Sequence, residues 1–449
     1  MLKLILKNLW ARRVRNAWLL AELILVTVLT WYITDPLFVL SYNQTLPLGY
    51  EPDGLLIAPI RSLPSTAPDY NKEEADSLHT MENMHRMLRK LRDYPGVQNA
   101  APLVTFAFPG SGGSSYNTYA YDTLAIPASI SYFIPHTGFF ETFGFKTFEG
   151  KTLGELDNMD YQRNDLVVSA DLLQILPKVG RLTGKRLFYN SDDDEKDTTF
   201  FSIKGVVEKV RSRNYEQGMY SFFEPQLNVR SKEVWNGGSF LIRLQPDVSE
   251  QRFLHDFRTW AYSNLKAGNL YIREVSTYKE QLDYLEYGSG VTNKYRMNII
   301  LAVFFLINLA LGVTGAFWLQ TRSRREEVGI MLSYGAAPGN ICRLLMGEAA
   351  ILASFAWLVG CLIYLQYGLA EGNWYEQGYV VPSLWINNFW LHYIVVSLIV
   401  YIIIIVVVLL GVFIPAYKIS RIPPTRVSVH LMGSLAATGK GHGTDSACQ

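Results

Sequence analysis

Residues 297–319 read MNIILAVFFLINLALGVTGAFWL, and residues 321–343 read TRSRREEVGIMLSYGAAPGNICR. The first stretch has no charged residue and, as a helix, can cross a hydrocarbon layer about 30 Å thick, which takes about 20 residues. The second is too polar to follow it into lipid. The third, 344–365, is apolar again, with Glu348 as its one charge. A span, a short basic loop and another span therefore decide the architecture. Two more apolar segments lie at 17–40 and 389–414, so the chain reads as an α-helical membrane protein with four transmembrane helices.

Lys and Arg near the span ends set the orientation. Lys3, Lys7, Arg12, Arg13 and Arg15 precede the first span, and Arg322, Arg324, Arg325 and Arg343 lie in the 320–343 loop. Lys418, Arg421 and Arg426 begin the 415–449 tail, whereas the 366–388 loop has no Lys or Arg and carries Glu371 and Glu376. Both termini and the 320–343 loop are thus expected in the cytoplasm, with 41–296 outside. The basic leader of residues 1–16, the long apolar run and the lack of an A-x-A site read as an uncleaved anchor. Within that leader Leu2, Ile5, Leu6, Leu9 and Trp10 form one stripe, as in a helix lying in the cytoplasmic interface.

The 449 residues are 49% hydrophobic and 18% charged, below the roughly 25% charged of soluble domains. A net charge of +1 gives no footprint for nucleic acid. The cysteines are Cys342, Cys361 and Cys448, with none between 41 and 293, so the outside segment has no disulfide framework.

That segment reads as a large α/β domain. Strand 55–59, helix 73–93 and strand 97–106 form one unit, the helix facing inward through Leu78, Met81, His85, Leu88 and Leu91. Strand 239–244, helix 249–266 and strand 270–275 form another, with Phe253, Phe257, Trp260, Ala261 and Leu265 inward. Between them, roughly 107–225, short strands such as 165–169, 185–189 and 200–207 indicate an inserted, mostly β part. Residues 276–296 read as a helix leading into the second span.

Catalytic constellations fail one by one. His79, His85, His136 and His255 make no H-E-x-x-H and no i, i+4 pair. Gly110–Ser115 (GSGGSS) lacks the G-x-S-x-G spacing and reads as a flexible loop. The acidic run Asp192–Glu195 departs from the EF-hand pattern at Lys196 and reads as a solvated hairpin tip. Gly433 and Gly439-Lys440 are one residue too far apart for a Walker A loop, and Gly441 stands where Ser or Thr is required. No metal or cofactor site and no ATPase activity are expected of this chain. Glu22 and Glu348 are intramembrane acids near the cytoplasmic ends of their spans, read as making structural pairings and helix contacts.

The loop carries the functional signal. Glu326 and Glu327 open a short helix, where acids complement the positive end of the dipole. Val328, Met331, Leu332 and Gly335 fall on one face, with Gly335 placed to cap the helix and Pro338 to stop it. A bare apolar stripe at the cytoplasmic face asks for a soluble partner with a groove.

RSRREEVGIMLSYGAAPGNI resembles the coupling-helix region of FtsX/MacB-type ABC transporter permeases, where R-x-x-E-[IV]-[GA]-[IV]-x-[RK]-x-x-G-A recurs. Leu332-Ser333 depart from it around a position often basic. PAYKISRIPPTRV, Pro415–Val427, is similar to that family's tail after the fourth span, and Glu348 matches a recurrent acid. The outside segments FFETFGFKTFEGK (139–151), DLVVSADLLQIL (165–176), Gly184-Lys185 and IKGVV (203–207) follow the order of the MacB periplasmic core domain.

The resemblance implies a type VII ABC permease subunit in a bacterial inner membrane, with porter-like α/β and sabre-like β parts outside. It implies a separate cytoplasmic ATP-binding subunit that holds ATP and Mg, with no nucleotide-binding domain fused to this chain. Glu326, Glu327, Val328, Gly329, Met331, Leu332 and Gly335 would carry the contact with that subunit. A second permease copy, identical or not, surrounding lipid, and a periplasmic or outer-membrane partner are implied as well. The stroke would serve efflux of hydrophobic compounds or peptides, lipoprotein extraction, or regulation of an envelope hydrolase. Readings of other classes are an extracytoplasmic sensor, for which a cytoplasmic output module is missing, and a membrane-anchored hydrolase.

Overall fold

The computed structural model describes residues 13–103, 107–113, 115–189, 199–215, 218–228, 238–372 and 389–421. The leader helix expected at 2–10, the acidic run 192–195, residues 373–388 and the tail from 422 onward lie outside them. The chain divides into two compact units, one built on the four long apolar helices and one on residues 40–294.

Helix α1 (Arg13–Thr45) runs past both expected ends of the first span and carries Pro36 without breaking. The outside unit then begins with β1 (Leu55–Ser62), α2 (Ser77–Arg92) and β2 (Val97–Leu103). Its second unit is β9 (Ser239–Leu244), α5 (Glu250–Asn264) and β11 (Leu270–Ile272), with the short β10 (Lys266–Ala267) and β12 (Ser276–Thr277) at the margins. The sheet order is β10-β11-β1-β9-β2, and β1 pairs antiparallel with β9, β11 and β12. Each strand–helix–strand unit is therefore split, with a strand of the other inserted between its two strands, as in ferredoxin-like folds.

Alternation assigns the two faces. Leu56, Ala58, Ile60, Phe240 and Ile242 pack under the helices with Met84, Met87, Leu91, Phe253 and Phe257. Leu55, Ile57 and Leu241 face the other way, onto a cluster of Phe133, Phe139, Phe140, Phe143, Phe145 and Phe223. Because both faces are covered, β9 is buried along its whole length.

The inserted part is a closed barrel of order β3-β4-β8-β5-β7-β6. Its strands are β3 (Ser115–Tyr121), β4 (Leu124–Phe133), β5 (Asp165–Ser169), β6 (Arg186–Tyr189), β7 (Phe200–Val207) and β8 (Tyr220–Pro225). Antiparallel pairing of β3 with β6 closes it. Leu166, Val168 and Phe222 join its own core, while their neighbours Val167 and Phe223 reach the phenylalanine cluster. Two short helices, α3 (Phe139–Phe143) and α4 (Leu153–Asp157), complete that cluster.

Several expectations need correction. On α2 the buried stripe is Thr80, Asn83, Met84, Met87, Leu88 and Leu91, while Leu78 and His85 are exposed. Asp76 caps the helix, accepting from the His79 amide at 2.8 Å, so residues 73–76 lie outside it. The stripe through Met84 and Met87 buries no ionisable group, whereas one through His85 would. The expected 270–275 strand splits into β11 and β12 around a buried Val275. Gly110 is pinned rather than flexible: its amide donates to Ser212 at 2.8 Å, its φ is +77°, and a Cβ there would strike the Tyr278 ring. Residues 276–296 form two helices, α6 (Tyr278–Gly288) and the start of α7 (Val291–Ser323), separated at Ser289-Gly290, where Gly290 has φ +75°.

Asp157 is buried beneath α3 and accepts the Phe140 amide at 3.0 Å and the Glu141 amide at 2.9 Å. Burial outweighs those bonds and pushes its carboxyl up to about 6 from an ordinary 3.8. The unfolded carboxyl releases its proton first as pH rises. Stability from this group is therefore complete below pH 3.8 and is lost on the way to pH 6. By the usual conversion the loss is about 2–3 kcal/mol. Asp157→Asn is expected to flatten this part of the pH profile in thermal unfolding of the full chain. An unchanged fall between pH 4 and 6 contradicts the assignment.

Candidate functional site

The membrane unit consists of α1, α7, α8 (Arg325–Ser333), α9 (Pro338–Gly372) and α10 (Phe389–Ser420). Four of these are long and apolar enough to cross a membrane. Small residues allow close approach between them. Gly312 of α7 lies under the Glu22 carboxylate of α1, Gly360 of α9 under Thr27 of α1, and Gly411 of α10 beside Thr314 of α7. Leu23, Val313, Ala353, Val400 and Val408 are fully buried in the resulting core. Glu22, read from sequence as a helix-contact acid, is half-buried in this role.

The short helix between the second and third spans is built from local signals. Glu326 and Glu327 occupy its first turn and are exposed. At its other end the Ala336 amide donates to Met331 at 3.0 Å and the Gly335 amide to Leu332 at 3.0 Å, with Gly335 at φ +84°. This Schellman pairing needs a left-handed residue, which glycine adopts without strain. Pro338 then opens α9, where its missing amide has no intrahelical partner to lose.

One brace holds α8 in place. Arg324 and Glu348 are both buried, and the guanidinium Nη1 donates to Glu348 Oε2. The pairing expected for Glu348 thus has a partner on the other side of α8, just before its first residue.

The apolar stripe is not bare. Val328 is buried in the core of the bundle, Gly329 is buried beside it, and Met331 and Leu332 are half-buried against the same core. A stripe of three apolar side chains beside a hydrophobic bundle is satisfied by that bundle first. The solvent-facing side of α8 and its exit comprises Glu326, Glu327, Ile330, Ser333, Tyr334 and Gly335. Tyr334 is 88% exposed and Ile330 51%. The exposure of Ile330 and Tyr334 was not read from the sequence because both lie off the apolar stripe.

A second polar group in the bundle also escaped the sequence reading. Asp35 of α1 and His392 of α10 face each other with Oδ1 and Nε2 2.5 Å apart, and the histidine is fully buried. Tyr364 of α9 donates to the other carboxylate oxygen at 3.5 Å and stacks on Trp31 at 3.9 Å between ring centres. Trp31 in turn donates to Ser397 Oγ at 3.1 Å. Asp35 lies inside the stretch 17–40 and His392 inside 389–414, so an inventory of all ionisable residues in the spans finds both. Among the described residues no group of three or more His, Cys, Asp or Glu side chains is placed to hold a metal ion.

Residues 299–424 match the family described as FtsX-like permease C-terminal, a range that takes in most of α7, all of α8 and α9, and α10. Over that range the chain is similar to the C-terminal part of FtsX-like permeases. Solved structures similar to the outside part include the periplasmic region of MacB from Actinobacillus actinomycetemcomitans, at 14% identity and TM-score 0.31, covering 53% of this chain and 94% of that one. The extracellular domain of the noncanonic ABC-type transporter YknZ from Gram-positive bacteria is similar at 11% identity and TM-score 0.27, covering 49% and 100%. No curated protein matches.

Removing one partner of the Arg324–Glu348 brace leaves the other as an uncompensated buried charge, a loss of about 3–5 kcal/mol. Arg324→Met is expected to lower the thermal midpoint of the full chain in detergent, and adding Glu348→Leu to recover most of the loss. A double variant as unstable as the sum of the single variants contradicts the pairing.

Proposed function

We propose that this chain is the permease subunit of an ABC system and that a separate cytoplasmic ATP-binding subunit docks on the exposed side of α8. The observation that carries the reading is the FtsX-like permease match over 299–424, within which α8 is held by a buried ion pair and capped by a Schellman turn. A lever is useful only if it does not deform, and these two devices stiffen this one at both ends. Glu326, Glu327, Ile330 and Tyr334 offer the partner a mixed acidic and aromatic surface, while Val328 and Gly329 fix the helix to its own bundle.

The chain passes from the membrane unit to the outside unit through α1 and α7, each a single helix of 33 residues. Rotation or translation of these helices, driven by ATP-dependent closure of paired partner subunits, moves the outside domain. The working unit is a dimer of permeases in a bacterial inner membrane. Its termini and α8 are cytoplasmic, as the Lys/Arg distribution supports. The stroke acts on hydrophobic compounds, peptides or lipoproteins, or on a partner outside the membrane.

The test is co-purification of the tagged chain from its native membranes, with an ATPase assay of what elutes. A soluble ATPase that crosslinks through a cysteine at Tyr334 supports the reading, and its absence under those conditions overturns it. Tyr334→Asp and Ile330→Asp are expected to reduce ATPase co-purification at least tenfold while the outside domain keeps its thermal midpoint. Leu332→Asp is expected to destabilise the bundle instead. Full recovery of ATPase with both exposed-face variants rules this face out as the dock.

A further inference from the structure

The final turns of α7 and α10 bring positive charge and aromatic rings together. Lys418 of α10 holds its Nζ 5.1 Å from the centre of the Trp318 ring of α7, so the two helices meet there. Arg421, one turn further along α10, lies with its guanidinium carbon 4.4 Å over the Tyr417 ring. Arg322 stands one turn beyond Trp318 on the same side of α7. A ring face attracts a cation but does not neutralise it.

No acid of the protein answers these charges. Arg322, Lys418 and Arg421 are exposed, and among the described residues none of the three is paired with a carboxylate. From 415 to 444 the sequence has no Asp or Glu. Arg324, two residues on from Arg322, is by contrast answered by Glu348 inside the bundle. One turn before Tyr417 and Lys418 the surface of α10 becomes apolar, with Phe413 and Ile414 exposed, and Leu319 beside Trp318 is exposed on α7. The Phe413 and Tyr417 rings lie 5.8 Å apart, and Gly411 lets α10 come close to α7 at Thr314. Cations, rings and apolar side chains therefore follow one another along a single seam between two spans.

We infer that this seam binds an anionic phospholipid, with its phosphate among Arg322, Lys418 and Arg421 and its acyl chains against Leu319, Phe413 and Ile414. A phosphodiester supplies the negative charge that the cluster lacks, and the chains cover the apolar surface that a free anion would leave bare. Trp and Tyr favour the headgroup level of a bilayer, and basic clusters between spans on the cytoplasmic side recognise anionic headgroups. On the orientation proposed above, the lipid comes from the cytoplasmic leaflet and bridges the second and fourth spans. The site does not depend on the ATPase reading, and its test uses no ATPase.

The full chain is placed in phosphatidylcholine vesicles with a trace of spin-labelled phosphatidylglycerol or spin-labelled phosphatidylcholine. Electron spin resonance then reads how much of each label the protein immobilises. Wild type is expected to prefer phosphatidylglycerol by about fivefold or more, the ratio that corresponds to the attraction of one basic residue. The triple variant Arg322→Gln, Lys418→Gln, Arg421→Gln loses the preference, whereas Arg322→Lys with Arg421→Lys keeps it. Removing two other cations of the 320–343 loop, Arg325→Gln with Arg343→Gln, leaves it in place. Inorganic phosphate at constant ionic strength does not displace the label. Equal immobilisation of both lipids by wild type overturns the proposal. An equal loss in the Arg325 and Arg343 variant does so too, since the attraction is then general surface charge. Displacement by phosphate means a site for the free anion and overturns the lipid assignment. Where the triple variant fails to fold, Lys418→Gln and Arg421→Gln decide singly: an unchanged preference in both overturns it equally.

Discussion

A hydrocarbon layer offers no water to a buried charge, and the membrane unit is arranged around that constraint. Arg324 answers Glu348 at one level of the bundle and His392 answers Asp35 at another. Each pair joins two different elements of the bundle, so the cost of burying polar groups becomes positional information. An apolar contact can slide along a helix by a turn with little penalty, whereas a buried ion pair cannot. The two pairs therefore set the registers of α8 against α9 and of α1 against α10.

The outside unit solves a different problem, joining a sheet to a closed barrel without a flexible seam. The seam is aromatic. Phe133 and Phe223 come from barrel strands, Phe139, Phe140 and Phe143 from α3, and Tyr50 and Tyr278 from segments beside the sheet. Their rings meet edge to face, as Phe133 and Phe140 do at 4.9 Å and Tyr50 and Tyr278 at 5.9 Å. Arg243 adds polar closure: its guanidinium donates to the carbonyls of Glu51, Asp53, Thr142 and Phe143. Large rigid side chains with directional contacts fix relative position better than the same area of leucine.

Much of this was legible in the residues because several signals agreed. The spans announce themselves by length and lack of charge, and α8 by its acids, glycine and proline. Strands β5, β7 and β9 are short apolar runs between turn residues. What was not legible depends on contacts between distant segments. Strands β3 and β4 read SYNTYAY and LAIPASISYF, and they are strands because the barrel closes on them. The phase of α2 was misread because Leu78 and His85 fit a helical stripe as well as Met84 and Met87 do, and only the sheet beneath chooses. On α8 the sequence does not tell that Val328 and Gly329 are covered by the bundle while Glu326, Glu327 and Gly335 stay exposed. Asp35 was hidden inside a run whose apolar average is high, which is how a single ionisable residue is easily overlooked.

The barrel closes with β3 on β6, so each of its described strands has a neighbour on both sides. In contrast, among the described residues the sheet ends at β10 and at β2. A protein that recognises another by adding a strand needs an unpaired edge. Along the paired stretches of the barrel wall that grammar of recognition is closed, because there each strand has a ladder partner on both sides. Whatever meets the barrel must read side chains and loops, and selectivity there is written in surface chemistry rather than in main-chain pairing.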